Sequence, residues 1–122
     1  MEILGARILI RPVDPGRTLA FYRDVLGLAI AREFPGGTVF FLGGGFLEVS
    51  GSATEPASDG VAIWMQVRDL DTVRRDLAGH VVREPRVEPW GLREMWVTDP
   101  DGTRIVLVQV PPDHPIRRDT RD

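Results

Sequence analysis

Few side chains in this sequence are of a type that performs nucleophilic or acid–base chemistry. The chain contains two histidines, His80 and His114, and no cysteine. Without cysteine it cannot form a disulfide, a thiol nucleophile or a thiolate metal site. Three serines, Ser50, Ser52 and Ser58, lie close together, but neither histidine stands at a spacing typical of a hydrolytic triad. The sequence therefore does not predict nucleophilic catalysis.

Two further segments have a superficial likeness to functional motifs. Asp99 and Asp101 form an acidic pair in "DPDG", but a tight turn explains their spacing better, since Pro100 fixes φ and Gly102 permits unusual backbone angles. The glycine-rich segment 36–45, "GGTVFFLGGG", lacks the lysine and the strand–loop–helix context of a phosphate-binding loop. We interpret both segments as hairpin turns.

Composition limits the class of protein. The chain has 122 residues, 43% hydrophobic and 27% charged, which supports one compact domain and is short for two independent ones. Its formal net charge of −3 offers no positive surface to a nucleic-acid backbone. No apolar stretch approaches the roughly 18 residues of a membrane span. We expect a soluble, cytoplasmic protein with neither nucleic acid nor membrane as a partner.

The first part of the chain predicts a strand, a helix and three further strands. Residues 6–11 alternate in polarity as a strand does, and Asp14 precedes Pro15 as an N-cap precedes the first helical position. Apolar residues at three- and four-residue spacing continue the helix to Gly27, a typical helix stop. Three short strands joined by tight turns follow within residues 28–50.

The second part repeats this order after a polar, proline-containing linker at residues 51–59. We predict a strand at 61–67, a helix at 69–79 ending at Gly79, a strand at 80–85 and a final hairpin around "DPDG". The segments "GARI" at 5–8 and "GVAI" at 60–63 lie 55 residues apart, as do the two capping aspartates. This constant offset predicts an α+β domain over residues 1–110, with βαβββ modules at 5–50 and 60–110.

The tail, residues 111–122, contains three prolines and alternating charges without an apolar period. We expect a loose end, in which His114 is exposed and inert.

Two motifs resemble the vicinal oxygen chelate superfamily, which includes glyoxalase I, bleomycin-resistance proteins and extradiol dioxygenases. "VDPGRTLAFYRDVLGLAI" is similar to its first-helix signature, and "TDPDGTRIVLVQ" is similar to its last hairpin. The resemblance covers about residues 5–110. It implies two tandem modules whose curled mixed sheets surround a concave cleft, with helices on the outer face. Catalytic members carry a metal ligand on the first and the last strand of each module.

Transferred to this chain, those ligand positions fall on Arg7, Glu48, Ala62 and Val106. Only Glu48 has a donor suited to a divalent ion, and three protein ligands are the usual minimum. We therefore predict no metal site and no cofactor. Arg7 and Glu48 are expected to pair where the metal would lie, either within a ligand pocket or as a structural salt bridge.

The same strand registers predict which side chains face the cleft, because alternate residues point to opposite faces of a sheet. Ile8, Leu47, Ile63 and Ile105 mark the apolar face that should lie under the helices. The cleft face combines aromatic and charged groups, and core packing is the simpler explanation for the aromatic residues in strands. Trp90 follows in a loop, where it has least reason to be core, and covering a dimer contact is its simpler explanation. The predicted ligand-binding residues are Arg7, Phe46, Glu48, Trp64, Trp90, Trp96 and Arg104.

Three functions agree with these residues. The first is a metal-free homodimer, similar to bleomycin-resistance proteins, that sequesters an antibiotic or another aromatic or cationic toxic compound. The second is a lyase, isomerase or dioxygenase with Glu48 as general base and Arg7 or Arg104 stabilising an oxyanion. The third is a structural or regulatory module whose cleft is filled by its own side chains.

Overall fold

The protein is described from a computed structural model, which describes residues 1–115. These residues group by their contacts into two compact units. Unit 1 contains Met1–Ser58 together with the short segment Asp99–Gly102. Unit 2 contains Asp59–Thr98 and the described residues from Thr103 onward. Each unit has one four-stranded sheet.

Unit 1 contains the first predicted module. Its elements are strand β1 (Ile8–Ile10), helix α1 (Pro15–Ala20) with a π-helical continuation (Phe21–Val25), and strands β2 (Ile30–Phe34), β3 (Gly37–Leu42) and β4 (Gly45–Ser50). The sheet order is β1-β4-β3-β2. Strand β1 pairs with β4 in parallel, and the other neighbours are antiparallel.

Local chemistry explains the limits of the first helix. Asp14 caps it, since its side chain accepts a hydrogen bond from the backbone N–H of Arg17 at 3.1 Å. Pro15 occupies the first turn, and Gly27 has φ of +67° immediately beyond the helical region. The predicted start and stop are confirmed. The π-helical turn was not predicted.

Unit 2 contains the second module. Its elements are strand β5 (Ala62–Gln66), helix α2 (Leu70–Asp76), a 3₁₀ turn (Ala78–His80), and strands β6 (Val81–Val87), β7 (Arg93–Thr98) and β8 (Arg104–Gln109). The sheet order β5-β8-β7-β6 repeats the order of unit 1, with β5 and β8 parallel. An α+β fold of two repeated βαβββ modules is confirmed.

Two boundaries in unit 2 differ from the prediction. The second helix ends at Asp76 rather than at Gly79, because the chain tightens into the 3₁₀ turn; Gly79 lacks the positive φ of a glycine stop. Strand β6 continues through Pro85 to Val87. Register shifts interrupt its pairing with β7 between Val81 and Arg86, and such irregular pairing is where proline is tolerated in a sheet.

The two faces of each sheet differ as the alternation predicts. Leu47 in unit 1, with Ile63 and Ile105 in unit 2, is buried on the apolar faces. Ile8 was predicted on the buried apolar face and is instead 41% exposed, because it begins β1 at the end of a stretch, residues 1–9, that is exposed throughout. Helix α1 contacts β4, and helix α2 contacts β6, β7 and β8.

The "DPDG" segment forms the predicted turn, and its carboxylates also bond within unit 1. Asp99 accepts from the N–H of Asp101 at 2.8 Å, and Gly102 has φ of +89°. The hydroxyl of Tyr22 donates to Asp99 at 2.7 Å inside the core. Asp101 accepts from the N–H groups of Val13 at 3.0 Å and of Ala57 at 3.1 Å, so the turn contacts the start of α1 and the linker.

The tail differs from the prediction where it is described. His114 is half-buried, and its Nε2 lies 2.8 Å from the carbonyl oxygen of Trp90. It is therefore not an exposed, contact-free side chain. Residues 116–122 of the predicted tail lie outside the described residues. Among residues 1–115, no helix has the length and apolarity required to cross a membrane.

Candidate functional site

In unit 1, Arg7 and Glu48 form the ion pair predicted from the sequence. Parallel pairing places Leu9 opposite Glu48, so Arg7, just before β1, reaches the carboxylate. Its Nη1 donates to Oε1 of Glu48 at 2.9 Å, while the hydroxyl of Ser50 donates to Oε2 at 2.7 Å. Glu48 is 18% exposed and Arg7 is 45% exposed. The pair is accessible from solvent.

These donors determine the charge of Glu48. The hydrogen bond from Ser50 lowers the pKa of Glu48 most; partial burial opposes it, and Arg7 and the charge of Arg32 lower the pKa further. The net result is a pKa below the ordinary range of a glutamate. At neutral pH the carboxylate is ionised, and each of its oxygens already accepts a hydrogen bond.

Aromatic side chains lie beside this ion pair. Phe46 is two residues before Glu48 on β4, so both point to the same face of the sheet. Its ring lies 5.7 Å from that of Phe41 on β3, and both side chains are exposed. The exposed face of unit 1 therefore combines a charged pair with an apolar surface.

In unit 2, the register brings an aromatic row onto one face. Trp64 on β5 pairs with Val106 on β8, Val106 pairs with Trp96 on β7, and Trp96 pairs with Arg83 on β6. Because paired residues point to the same face, these four side chains cross the sheet side by side. Trp64, at its edge, is 46% exposed. The row therefore presents an exposed aromatic ring at the β5 edge of the sheet.

Two guanidinium groups lie on the indole ring of Trp96. The Cζ of Arg83 is 4.0 Å from the ring centroid, and that of Arg104 is 4.5 Å away. Arg83 also pairs with the buried Glu88, which Arg86 contacts at 3.1 Å. Burial raises the pKa of Glu88, but the hydrogen bonds from Arg86 and Arg83 outweigh it and hold the pKa below its ordinary range.

Trp90 lies in the turn between β6 and β7, where the sequence predicts a loop. Its side chain is 57% exposed, and its Nε1 donates to the buried carboxylate of Glu94 at 2.8 Å. Glu94 is two residues before Trp96 on β7 and shares its face. Trp90 is therefore anchored by one polar contact while its ring stays accessible.

The structure thus brings together Arg7 with Glu48, and Trp96 with Arg104, each pair within its own unit. Phe46 and Trp64 share faces with these pairs, and Trp90 reaches the Trp96 face through Glu94. Sequence reasoning considered Ser50 as a nucleophile and did not identify it as the donor to Glu48, and it missed Arg83 altogether. A serine two residues after a strand glutamate is a usable signal, whereas the position of Arg83 depends on the register shifts in β6.

The donor set does not fit the metal that catalytic relatives carry. Of the four transferred positions, Ala62 and Val106 are aliphatic, Arg7 is cationic, and Glu48 has both oxygens engaged. Within residues 1–115, no three His, Asp or Glu side chains group closely enough to hold a metal ion. A metal ion would have to break the Arg7–Glu48 pair and find its other ligands elsewhere.

Unit 1 also has an open cavity of about 380 Å³ near the start of α1. Asp14, Thr18 and Asp101 are among its lining residues. Asp14 caps the helix, and both oxygens of Asp101 accept backbone N–H groups. These carboxylates maintain the fold, so this cavity is a weaker candidate than the sheet faces.

Comparisons with known proteins agree with this geometry. A family model described as Glyoxalase/Bleomycin resistance protein/Dioxygenase superfamily matches residues 6–107. No significant match is found among curated proteins.

Solved structures show the same fold at low sequence identity. A glyoxalase/bleomycin resistance protein/dioxygenase from Nocardioides aligns over 94% of this chain and 89% of its own, with a TM-score of 0.76 and 18% identity. Lactoylglutathione lyase from Agrobacterium tumefaciens aligns over 89% and 94%, with a TM-score of 0.68 and 19% identity. TioX from Micromonospora sp. ML1 aligns over 87% and 95%, with a TM-score of 0.68 and 21% identity. At these identities the likeness demonstrates the fold alone.

Proposed function

The chain belongs to the Glyoxalase/Bleomycin resistance protein/Dioxygenase superfamily, and on this premise we propose that it is a small-molecule-binding protein that works without a metal ion. Its ligand contacts are assigned to the exposed sheet face of each unit and to the Trp90 turn. They are the predicted residues Arg7, Phe46, Glu48, Trp64, Trp90, Trp96 and Arg104.

The observation that carries this proposal is the state of Glu48. It is the one carboxylate at the four transferred positions, and Arg7 and Ser50 occupy both of its oxygens. The guanidinium of Arg7, at the position of a metal ligand, supplies positive charge without a metal ion. The arrangement favours a polar anchor within a binding surface over a metal centre.

We further propose that the protein sequesters its ligand stoichiometrically, as a bleomycin-resistance-like protein would. The exposed rings of Phe46, Trp64 and Trp90 offer flat surfaces to an aromatic compound, and an antibiotic or another toxic compound is the class proposed. The lactoylglutathione lyase and TioX likenesses support the fold and do not distinguish this function from catalysis. Recovery of a bound compound chemically unchanged after prolonged incubation is the expected result.

The alternative is an enzyme of the same superfamily with Glu48 as general base. The lowered pKa of Glu48 disfavours this general-base role, because a carboxylate held ionised by two donors is a weak base at neutral pH. Glu48→Gln separates the two functions. If Glu48 is a base, the variant loses turnover and keeps its affinity for the ligand. If the protein sequesters its ligand, neither wild type nor variant shows turnover.

Metal analysis tests the metal-free assignment directly. Protein purified without chelator, and again after incubation with nickel, zinc, manganese and iron(II), is expected to hold far less than one ion per chain. Its melting temperature should not change, because the donor set lacks three ligands. Arg7→His serves as a comparison, since it adds one donor beside Glu48. One ion per wild-type chain with a raised melting temperature would refute the proposal.

We also propose that the protein is a cytoplasmic homodimer. Exposed apolar residues on the unit 1 sheet, including Leu9 and Phe41, are of the kind that subunit contacts cover. Light scattering after size exclusion is expected to give twice the chain mass of 13.6 kDa. A mass of one chain at micromolar concentration would contradict the dimer.

A further inference from the structure

The charge of Arg104 is not balanced by an ion pair. Among residues 1–115, Arg104 has no carboxylate within 4 Å, and its guanidinium instead lies 4.5 Å from the ring centroid of Trp96. The neighbouring Arg83 is paired with Glu88. Arg104 is half-buried on β8, so an unpaired positive charge stands on a partly desolvated surface, where an opposite charge is attracted strongly.

Two further donors at the same place lack acceptors. The indole Nε1 of Trp96 and the Nε of Arg83 are buried and have no hydrogen-bond partner. Their side chains are in stacked contact, since the Cζ of Arg83 lies 4.0 Å from the Trp96 ring. Buried N–H groups without acceptors destabilise a protein, and most are satisfied. Because these two N–H groups are enclosed by protein, a ligand from solvent meets the half-buried Arg104 first.

The charged groups around Trp96 also favour a negatively charged ligand. The titratable groups that border Trp96 are Arg83 and Arg86 on β6, Glu88 after it, Glu94 on β7 and Arg104 on β8. Glu88 is bound by two of these arginines, and Glu94 accepts from Trp90. Three positive charges face two negative ones, and the excess charge is positive.

An aromatic surface extends from this positive charge. Val106 and Trp64 continue the row that contains Trp96 toward the β5 edge. Neighbouring strands are about 4.8 Å apart, so Trp64 lies roughly 10 Å from Trp96 across the face. A compound with a bicyclic ring and an attached carboxylate spans that length.

We propose that the ligand of this face is an aromatic carboxylate, whose anionic oxygens bind Arg104 while its ring packs on Val106 and Trp64. The inference rests on the proposed binding function and narrows it. A cationic ligand, which the tryptophans alone suggest, is disfavoured here because the guanidinium groups of Arg83 and Arg104 already occupy the Trp96 ring and would repel it.

The test compares compounds that share one ring system. Calorimetric titration of the full chain uses 1-naphthoate, the neutral 1-naphthamide, the cation 1-naphthylmethylammonium, and acetate as an anion without a ring. Naphthoate is expected to bind at least about tenfold more tightly than the amide, and the cation and acetate are expected not to bind measurably. Arg104→Gln should weaken naphthoate binding by about tenfold, which corresponds to the loss of one charge-assisted contact, and should leave the amide unchanged.

A matched variant and a spectroscopic signal make the test specific. Arg93→Gln removes an arginine from the same unit that pairs with Asp71 at 2.7 Å, and it should not change naphthoate affinity. The chain has three tryptophans, so proton–nitrogen spectra contain three indole signals. Trp64→Phe and Trp90→Phe identify two of them and Trp96 by elimination. Naphthoate should move the Trp64 signal, because its ring packs on the Trp64 indole, and acetate should not.

Three results would overturn the inference. Equal affinities for naphthoate and naphthamide, unchanged in Arg104→Gln, would show that the ligand needs no negative charge, although aromatic binding would stand. Acetate binding as tightly as naphthoate would show that the aromatic ring contributes nothing to binding. No binding of any naphthalene would refute the inference as a whole, and the metal-free binding function would then be decided by the metal analysis and by other ligands.

Discussion

Replacing Asp99 by alanine is expected to lower the free energy of unfolding by about 3 kcal/mol, because it leaves buried donors without their acceptor. The Tyr22 hydroxyl donates to Asp99 at 2.7 Å, and Tyr22 is fully buried. The N–H of Asp101 loses a second bond to the same carboxylate, at 2.8 Å. Urea denaturation of the full chain measures the change. As a control, Asp76→Ala at the exposed end of α2 should stay within about 0.5 kcal/mol of wild type; equal losses in both variants would contradict this role of Asp99.

The pH dependence of stability supplies a second measurement of the same contact. Burial, the charge of Asp99 and the hydrogen bond to Asp99 all raise the pKa of Tyr22 far above its ordinary value of 10. The folded state therefore keeps a proton that the unfolded chain releases. This contribution to stability is complete below pH 10 and falls by up to about 1.4 kcal/mol per pH unit above it.

Tyr22→Phe should remove this alkaline slope. Tyr22 is the single tyrosine of the chain, so absorbance of tyrosinate reports on this residue alone. In wild type the absorbance should appear only as the protein unfolds. Titration of Tyr22 near pH 10 in the folded protein would show that its hydroxyl is not held as described.

Gly37→Ala is expected to destabilise the protein by about 1 to 3 kcal/mol through steric overlap. Gly37 on β3 pairs with Ser50 on β4, and an added Cβ would lie 2.6 Å from both the Ser50 Cβ and the ring of Phe34. The Phe34 ring can rotate away, but the Ser50 Cβ cannot move without β4. Chemical denaturation again measures the loss.

The same substitution should disturb the ligand site. Displacement of Ser50 weakens its hydrogen bond to Glu48, the largest cause of the lowered pKa of Glu48. That pKa, followed by carbon NMR, should move up toward the ordinary glutamate range. Gly44→Ala is the matched control, because nothing lies within 4 Å of its added Cβ and its φ is not positive. If Gly37→Ala is destabilised while the pKa of Glu48 stays unchanged, the packing at Gly37 does not influence Glu48 through Ser50.

Much of the fold was predictable from local patterns. The alternation along β4 and β8 assigns the faces of Leu47 and Ile105 correctly, and the 55-residue offset identifies both helix caps. The Arg7–Glu48 pair was predicted from the family resemblance, which placed both residues at metal-ligand positions, and the parallel pairing of β1 with β4 brings them together. Each of these depends on a short repeat or on one register.

The remaining features depend on registers and contacts that local patterns do not encode. Arg83 pairs with Trp96 only because β6 shifts its register on both sides of that residue. Tyr22 and Asp99 are 77 residues apart in sequence, and a turn aspartate gives no local sign of a buried partner. The π-helical turn around Tyr22 likewise has the apolar spacing of an ordinary helix.

The "DPDG" turn has a consequence for how this chain could have changed over evolution. The strands on either side of it, β7 and β8, belong to unit 2, whereas Asp99–Gly102 belongs to unit 1. A gene fragment that ends at the linker would encode Tyr22 and Val13 without the carboxylates that bind them. A first half recombined with the second half of a relative would therefore need a compatible turn to restore the bonds to Tyr22 and Val13.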